Sequence, residues 1–193
     1  MAKIPGPRNN PVYNFTAKEL AECIDIATKR SEGKVLNNVH DKLVDPGQTS
    51  FQSHYHGVMA EWAWADLLEV EIDRTWGLKG DGGVYDLICN GTTIQVKLNI
   101  GGYRTEYMYA PPADPFKAET IAMATLRGSA KVEYAGWLTR DRFYEIATKF
   151  KMLQPEPVDV VNSKALWPPV TISPEEIGLR DYCYAMKRPE VPV

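Results

Sequence analysis

The 193-residue sequence has few cysteines, no long apolar run and no excess of positive charge. Its three cysteines (Cys23, Cys89, Cys183) are far apart, so neither a zinc site nor a disulfide scaffold is indicated. No stretch of eighteen uncharged apolar residues occurs, and the first residues lack the apolar core of a signal peptide. The net charge of -3 excludes a polybasic nucleic-acid binder but allows a local basic surface. These absences predict a soluble cytoplasmic protein with no membrane partner and with reduced thiols.

The hydrophobic content is sufficient for one domain with a substantial core. Hydrophobic residues make up 44% of the chain, and its length suits a single domain of about 100–200 residues. Acidic residues are concentrated in one part of the sequence, since residues 51–100 carry seven acidic and only three basic side chains. This central quarter is therefore the place where a cation is most easily accommodated.

Local patterns predict an α/β fold with a mostly antiparallel or mixed sheet. Thr16 and Glu19 have the spacing of a capping box, which predicts a helix to about Lys29. Asn90-Gly91 between two alternating apolar runs predicts a two-residue β-hairpin. The remaining predictions are a helix over 57–69, strands over 84–89, 92–98, 103–109, 120–126 and 131–138, and a helix over 140–149 that Thr139 caps. Residues 31–53 and 153–172 are predicted to be mainly irregular, with a final short helix after Ser173.

The hairpin register predicts one apolar and one polar face. With a two-residue turn, Cys89 faces Thr92, and side chains alternate between the faces along each strand. Asp86, Gln95 and Lys97 then lie on the polar face, with Asp86 directly opposite Gln95. A carboxylate, an amide oxygen and an ammonium group thus come together without any assumption about tertiary structure.

This trio has the chemistry of a metal-dependent phosphodiester hydrolase. Asp86, the side-chain carbonyl of Gln95 and the main-chain carbonyl of Val96 are oxygen donors of the kind that Mg²⁺ prefers. Lys97 is placed to hold the attacking water and to shield phosphate charge, while the metal would activate that water. The alternative is an ordinary solvated hairpin face that carries polar residues without a function.

Glu61 adds a second acidic candidate. It lies on an apolar stripe of the predicted second helix, where an unpaired carboxylate is costly to bury. A metal, a bound water or a lysine would remove that cost. The alternative is that Glu61 marks the solvent edge of the helix.

These residues resemble the motif of the PD-(D/E)XK nuclease superfamily, which includes restriction endonucleases, junction resolvases and phage recombination exonucleases. The resemblance is carried by Gly57-x-x-x-Glu61, by Gly-Asp-Gly-Gly-Val-Tyr-Asp86, by Ile-Gln95-Val-Lys97 and by the segment Tyr134–Phe143. It implies a single restriction-endonuclease-like α/β domain, with a mixed sheet flanked by helices. The core would cover about residues 54–149, with extensions at 1–53 and 150–193. It also implies a phage or bacterial origin, and hence the host-cell cytoplasm if phage-encoded.

The resemblance also implies roles for individual residues. Asp86 matches the first motif acid, Lys97 the lysine and Glu61 the helix-borne acid, around one or two Mg²⁺ (or Mn²⁺) ions. Gln95 matches the second acid only by position, which removes one negative charge from the site. The consequence is either weaker Mg²⁺ binding or a larger role for Glu61 and Asp81. Asp81 is alternatively a turn residue.

The leading hypothesis is a Mg²⁺-dependent DNA endonuclease with catalytic residues Glu61, Asp86, Gln95 and Lys97. Its DNA contacts are expected at His54, His56, Arg104 and Lys131, the two histidines because helix amino termini favour phosphate. A homodimer is one expected assembly, since cutting both strands needs two sites. The alternative is a catalytically inactive nuclease-like module that binds DNA or a protein, and a third interpretation is a sheet-based scaffold.

Overall fold

A computed structural model describes residues 10–36, 49–72, 74, 85–100, 107–110, 116–150, 158–162, 165–169 and 177–186. The helices are α1 (Ala17–Leu36), α2 (Ser50–Leu68), α3 (Arg140–Ile146) and α4 (Leu179–Ala185). The strands are β1 (Val12–Asn14), β2 (Leu87–Cys89), β3 (Thr92–Asn99), β4 (Tyr107–Ala110), β5 (Thr120–Leu126), β6 (Lys131–Thr139), β7 (Thr148–Phe150) and β8 (Val158–Asn162). The α/β class is therefore confirmed.

Two sheets form the scaffold. The larger one is mixed, in the order β1-β6-β5-β3-β2, and the smaller one has the order β4-β8-β7. Within the larger sheet β3 is parallel to β5, whereas the β2–β3, β5–β6 and β1–β6 pairs are antiparallel. The hairpin is thus at one edge of the larger sheet, with β2 as its edge strand.

Each face of the larger sheet is covered by its own hydrophobic cluster. The first cluster joins α1, α2 and α4 to β2, β3, β5 and β6, with members such as Ala27, Trp64, Val96 and Leu179. The second cluster contains Met108 and Val161 of the smaller sheet, Phe143 of α3, and Ile121 and Met123 of β5. The larger sheet is therefore the middle layer, with helices on one face and the smaller sheet with α3 on the other.

Helices α1 and α3 begin at the capping side chains that the sequence indicates. The N–H of Thr16 donates to Glu19 Oε2 at 2.7 Å and the N–H of Glu19 to Thr16 Oγ1 at 3.3 Å, so the predicted capping box begins α1. Thr139 likewise accepts from the N–H of Arg142 at 3.2 Å and begins α3. In both helices, a threonine that accepts from the N–H three residues later therefore marks the helix start.

The start predicted for the second helix is wrong. Thr49 and Gln52 form a second capping box, in which each side chain accepts from the main-chain N–H of the other residue. Helix α2 therefore begins at Ser50 and not at Gly57. The residues between these two positions belong to the helix, although they lie partly in the stretch predicted to be irregular.

Several other predicted boundaries are also wrong. α1 continues through residues 31–36, and α3 ends at Ile146 and is followed by β7. β8 lies inside the stretch predicted to be irregular, and β1 was not predicted. Ser173, the glycine-rich segment 77–83 and the first part of the strand predicted over 103–109 lie outside the described residues. In the part of the chain that the structure describes, no helix has the length and apolar character needed to cross a membrane.

Candidate functional site

The hairpin has the predicted turn and the predicted division of its faces. Leu87 pairs with Ile94, Ile88 with Thr93 and Cys89 with Thr92 across the Asn90-Gly91 turn. Both turn residues have positive φ, 46° for Asn90 and 75° for Gly91, as a type I′ turn requires. The face predicted to be apolar is buried at Leu87, Cys89, Thr92, Ile94 and Val96, whereas Tyr85, which the same alternation places on this face, is exposed.

Gln95 and Lys97 lie on the opposite face of the sheet, toward the second cluster. In the parallel register Gln95 is beside Ile121 and Lys97 beside Met123, both fully buried members of that cluster. Lys97 Nζ is 5.7 Å from the ring centroid of Phe116, in the range of a cation–π contact. The two polar side chains are each half-buried. They therefore occupy a partly desolvated site under the second layer and not an open solvated surface.

Asp86 is held against the main chain of β3. The regular ladder ends at the pair of Leu87 with Ile94, and the N–H of Asp86 also donates to the Ile94 carbonyl at 2.9 Å. In a regular ladder the N–H of Asp86 would point away from β3, so the predicted direct pairing of Asp86 with Gln95 is wrong. Asp86 Oδ2 instead accepts from the N–H of Val96 at 2.6 Å. The carboxylate thus binds the peptide group between Gln95 and Val96.

The side-chain oxygen of Gln95 is a second oxygen donor close to this peptide group. Its Oε1 is buried and has no hydrogen-bond partner among the residues that the structure describes. A buried polar atom without a partner is costly, and in native proteins it commonly marks a water or ion that satisfies it. We call Asp86, Gln95, Val96 and Lys97 the hairpin site.

Glu61 is not part of the hairpin site, which corrects the prediction of a shared pocket. Its carboxylate forms a bidentate ion pair with Arg30 of α1, in which both N–O distances are 2.8 Å. The side chains of Arg30 and Glu61 are only 20% and 11% exposed, so the pair is largely desolvated. The cost of burying Glu61 is therefore offset by an arginine on the neighbouring helix.

The sheet separates Glu61 from the polar side chains of the hairpin. α2 packs in the first cluster with Val96 and Ala122, which are neighbours in the β3–β5 register. Gln95 and Lys97 alternate with Val96 and so point to the other face. Within the described ranges, no group of three or more His, Cys, Asp or Glu side chains is placed to hold a metal ion. A metal at the hairpin site would accordingly depend on one carboxylate and on neutral oxygens, and Asp81 lies outside the described residues.

The proposed reason for phosphate binding by the two histidines is wrong. His54 and His56 are inside α2, four and six residues beyond its first residue Ser50, and both are half-buried. Burial lowers the pKa of His56 below its ordinary value of 6.5, which favours the neutral imidazole. Lys131 is exposed at the start of β6, where it pairs with Asn14 of the edge strand β1. Arg104 lies outside the described residues.

Arg30 and Glu119 interact with residues discussed above but were not predicted from the sequence. Arg30 is 31 positions from Glu61, so no local pattern links them. Glu119 precedes β5 and accepts from the N–H of Thr93 at 3.0 Å, while its own N–H donates to Thr93 Oγ1 at 3.0 Å. Because Thr93 lies on the same face as Gln95, Glu119 adds a carboxylate to this face near the turn.

Comparisons of the chain with protein-family models, with curated proteins and with solved structures gave no match. The function has to be inferred from the hairpin site itself.

Proposed function

We propose that this chain is a Mg²⁺-dependent DNA endonuclease of restriction-endonuclease-like fold, with the hairpin site as its catalytic centre. One observation carries the proposal: the buried Oε1 of Gln95 lacks a partner among the described residues, next to a peptide group that already binds the Asp86 carboxylate. Mg²⁺ prefers such oxygen donors and keeps several of its waters. The mixed sheet, with α2 before the hairpin and α3 after β6, supports the proposed fold.

The side chains of the hairpin site have distinct roles in this proposal. Asp86 and Gln95, with the carbonyl of Val96, would hold the ion, and Mn²⁺ is expected to replace Mg²⁺. When bound, the metal would lower the pKa of a water and offset charge on the phosphate. Lys97 can only donate hydrogen bonds, so it would bind a phosphate oxygen or orient the attacking water. Ile121 beside Gln95 and Met123 beside Lys97 reduce the local polarity, which strengthens each of these interactions.

The hairpin site carries less negative charge than the resemblance implies. Glu61 is paired with Arg30, and Gln95 carries no charge, so Asp86 is the one anionic side chain of the hairpin site. Fewer anionic ligands mean a lower affinity for a divalent cation. We therefore expect cleavage to require high Mg²⁺ concentrations and to survive the substitution Glu61→Gln in chains that remain folded.

Cleavage assays on plasmid and branched DNA test the proposal. With Mg²⁺ present, Asp86→Asn and Lys97→Ala are expected to lower the cleavage rate by at least about 100-fold, the usual loss for one charge-stabilising group. Asp141→Asn and Lys18→Ala are matched controls, because both side chains are exposed and lie on α3 and α1. Failure of the wild-type chain to cut any of these DNAs with Mg²⁺ or Mn²⁺ would refute the endonuclease. Equal rates for the Asp86 and Asp141 variants would exclude the hairpin site as its centre.

The substitution Gln95→Glu tests the metal assignment by an expected gain in Mg²⁺ binding and activity instead of a loss. It restores the second motif acid at the buried oxygen, so we expect tighter Mg²⁺ binding in calorimetry and faster cleavage at low Mg²⁺. Thr93→Glu is the control, since it adds the same charge on the same face two residues away, beside Glu119. Equal gains from both variants would point to a general charge effect and contradict the assignment.

A second candidate is a catalytically inactive nuclease-like module that binds DNA or a protein. It is favoured by the Arg30–Glu61 pair and by the lack, among the described residues, of three potential metal-ligating side chains in one place. This candidate predicts DNA binding that is unchanged by a chelator, with no cleavage and no heat of Mg²⁺ binding. It also predicts that Gln95→Glu gains nothing.

A further inference from the structure

Two of the three cysteines meet where α4 packs on the hairpin. Cys89 ends β2 and Cys183 lies in α4, and both are reduced thiols with no exposed surface. Both belong to the same buried cluster, and Cys183 lies close enough to Cys89 to lower the pKa of its thiol. The turn residue Asn90 fixes this contact, because its Nδ2 donates to the Cys183 carbonyl at 2.9 Å. The fold therefore brings Cys183 next to the end of β2, although the two cysteines are 94 positions apart in sequence.

A buried hydroxyl group lies across the hairpin from Cys89. Thr92 is directly opposite Cys89 in the hairpin and is only 2% exposed. Directly opposed residues have Cβ atoms about 4.5–5.5 Å apart. Thr92 Oγ1 is buried and has no hydrogen-bond partner in the described part of the chain. This hydroxyl makes no hydrogen bond to Cys89, but it is a buried polar group on the residue paired with that cysteine and is available to a thiolate formed there.

The electrostatic surroundings distinguish Cys89 from Cys23. The hydrogen bond from Cys183 lowers the pKa of Cys89, burial opposes it, and the nearby Arg180 charge lowers it further, so the net pKa lies below its ordinary value. Burial raises the pKa of Cys23 to about 12, with Glu19, Glu22 and Glu61 adding to the effect. Cys89 and Cys23 both have no exposed surface, so peroxide reaches either thiol only when the packing around it opens, and the lower pKa then favours reaction at Cys89.

We propose that Cys89 and Cys183 are a modification site at which a peroxide reversibly forms a disulfide between β2 and α4. The Cys89 thiolate attacks one oxygen of hydrogen peroxide, the O–O bond breaks, and Cys89 sulfenic acid and hydroxide are formed. The Cys183 sulfur then attacks the Cys89 sulfur, and the S–O bond breaks. The hydroxyl group leaves as water with the Cys183 proton, while the first hydroxide takes up the proton released from Cys89. Two thiols and one peroxide thus give one disulfide and two waters, and a dithiol reductant reverses the change.

Peroxide oxidation of the full chain, followed by thiol blocking and mass spectrometry of a non-reduced digest, tests this inference. We expect a Cys89–Cys183 cross-linked peptide, loss of two hydrogens from the intact mass, and recovery of both thiols with dithiothreitol. Cys23 should remain a thiol that reacts only after unfolding. In Cys183→Ser, which has no resolving thiol, Cys89 sulfenic acid should accumulate and react with dimedone.

Two further variants complete the experiment. Cys23→Ser is the matched control and should form the cross-link at the wild-type rate, because Cys23 lies on α1. Thr92→Val should slow the reaction several-fold, since it removes the hydroxyl but keeps the shape. The inference is overturned if a folded wild-type chain, as judged by circular dichroism, shows sulfenic acid but no Cys89–Cys183 cross-link. It is equally overturned if no thiol reacts, or if Cys23 is oxidised as fast as Cys89.

Discussion

Arg30 and Glu61 place two opposite charges in the contact between α1 and α2. Their side chains are 20% and 11% exposed, so removal of one leaves the other largely buried without this ion pair. A buried pair that loses one partner costs about 3–5 kcal/mol, and this pair is slightly more exposed than a fully buried one. We expect Arg30→Ala to lower the free energy of unfolding by about 2–4 kcal/mol, measured by urea denaturation.

Lys29→Ala is the control for this prediction. Lys29 is the preceding residue of α1 and pairs with Asp25 at 2.6 Å, but these side chains are 37% and 60% exposed. Exposed pairs contribute only about 0–1 kcal/mol. Similar losses from Arg30→Ala and Lys29→Ala would show that the burial of the Arg30–Glu61 pair has no energetic consequence.

His56 makes the stability of the fold depend on pH. Burial lowers its pKa in the folded chain, whereas in the unfolded chain the pKa returns to about 6.5. Below that pH the unfolded state binds more protons than the folded state, so stability falls as the pH falls and levels off below the folded pKa. We expect the wild-type chain to lose more stability than His56→Gln between about pH 7.5 and pH 5 in urea denaturation. Parallel pH profiles for the two chains would contradict this.

At the scale of elements, local signals predict structure well and long-range pairing does not follow from them. The hairpin turn is correct because Asn90 and Gly91 adopt the positive φ that their residue types allow. The Thr16 and Thr139 caps are correct for the same reason, since each depends on a contact within three residues. β1 consists of three residues whose pairing partners lie in β6, more than a hundred positions away, so no local signal indicates it.

The same distinction applies to the hairpin site. Gln95 and Lys97 lie together because strand alternation is a local property. Asp86 departs from the predicted register, since its N–H donates to the Ile94 carbonyl and its carboxylate accepts from the Val96 N–H. Glu61 could be recognised as needing a partner, but only tertiary packing decides that this partner is Arg30 and not a metal.

At Gly136 of β6, a side chain could be accommodated only if neighbouring atoms moved. This glycine has φ 134° beside the irregular register of β5 and β6 between Met123 and Ala124. A Cβ there would be 2.5 Å from the Trp167 carbonyl oxygen and 2.8 Å from Leu166 Cβ. Strain and overpacking each cost about 1–3 kcal/mol, so Gly136→Ala should lower the free energy of unfolding by about 2–4 kcal/mol.

Gly57→Ala is the matched control for that substitution. Gly57 is inside α2, and a Cβ at this position would have nothing within 4 Å. Alanine in a helix is favoured over glycine by about 0.5–1 kcal/mol, so this variant should be slightly more stable than the wild type. Thermal denaturation that showed the same sign for both variants would contradict the contacts assigned to Gly136.

At the scale of the whole molecule, the two hydrophobic clusters share the strands of one sheet. Along β5, Ile121 and Met123 belong to the second cluster while Ala122 and Ala124 belong to the first. Loss of packing on one face therefore disturbs strands that the other face also needs. The layers should unfold as one cooperative unit, even though the hairpin site and the Arg30–Glu61 pair lie on different sides of the sheet.

Leu138→Ala measures this coupling between the layers. Leu138 is a fully buried residue of β6 in the second cluster, and truncating such a residue costs about 2–5 kcal/mol. If the layers are one unit, hydrogen exchange of the most protected amides in α2 and β3 should accelerate by the same free energy as those in β8. A variant in which only β4, β7, β8 and α3 lose protection would show that the second layer opens by itself. The hairpin site would then be uncovered by local opening, because Gln95 and Lys97 face that layer.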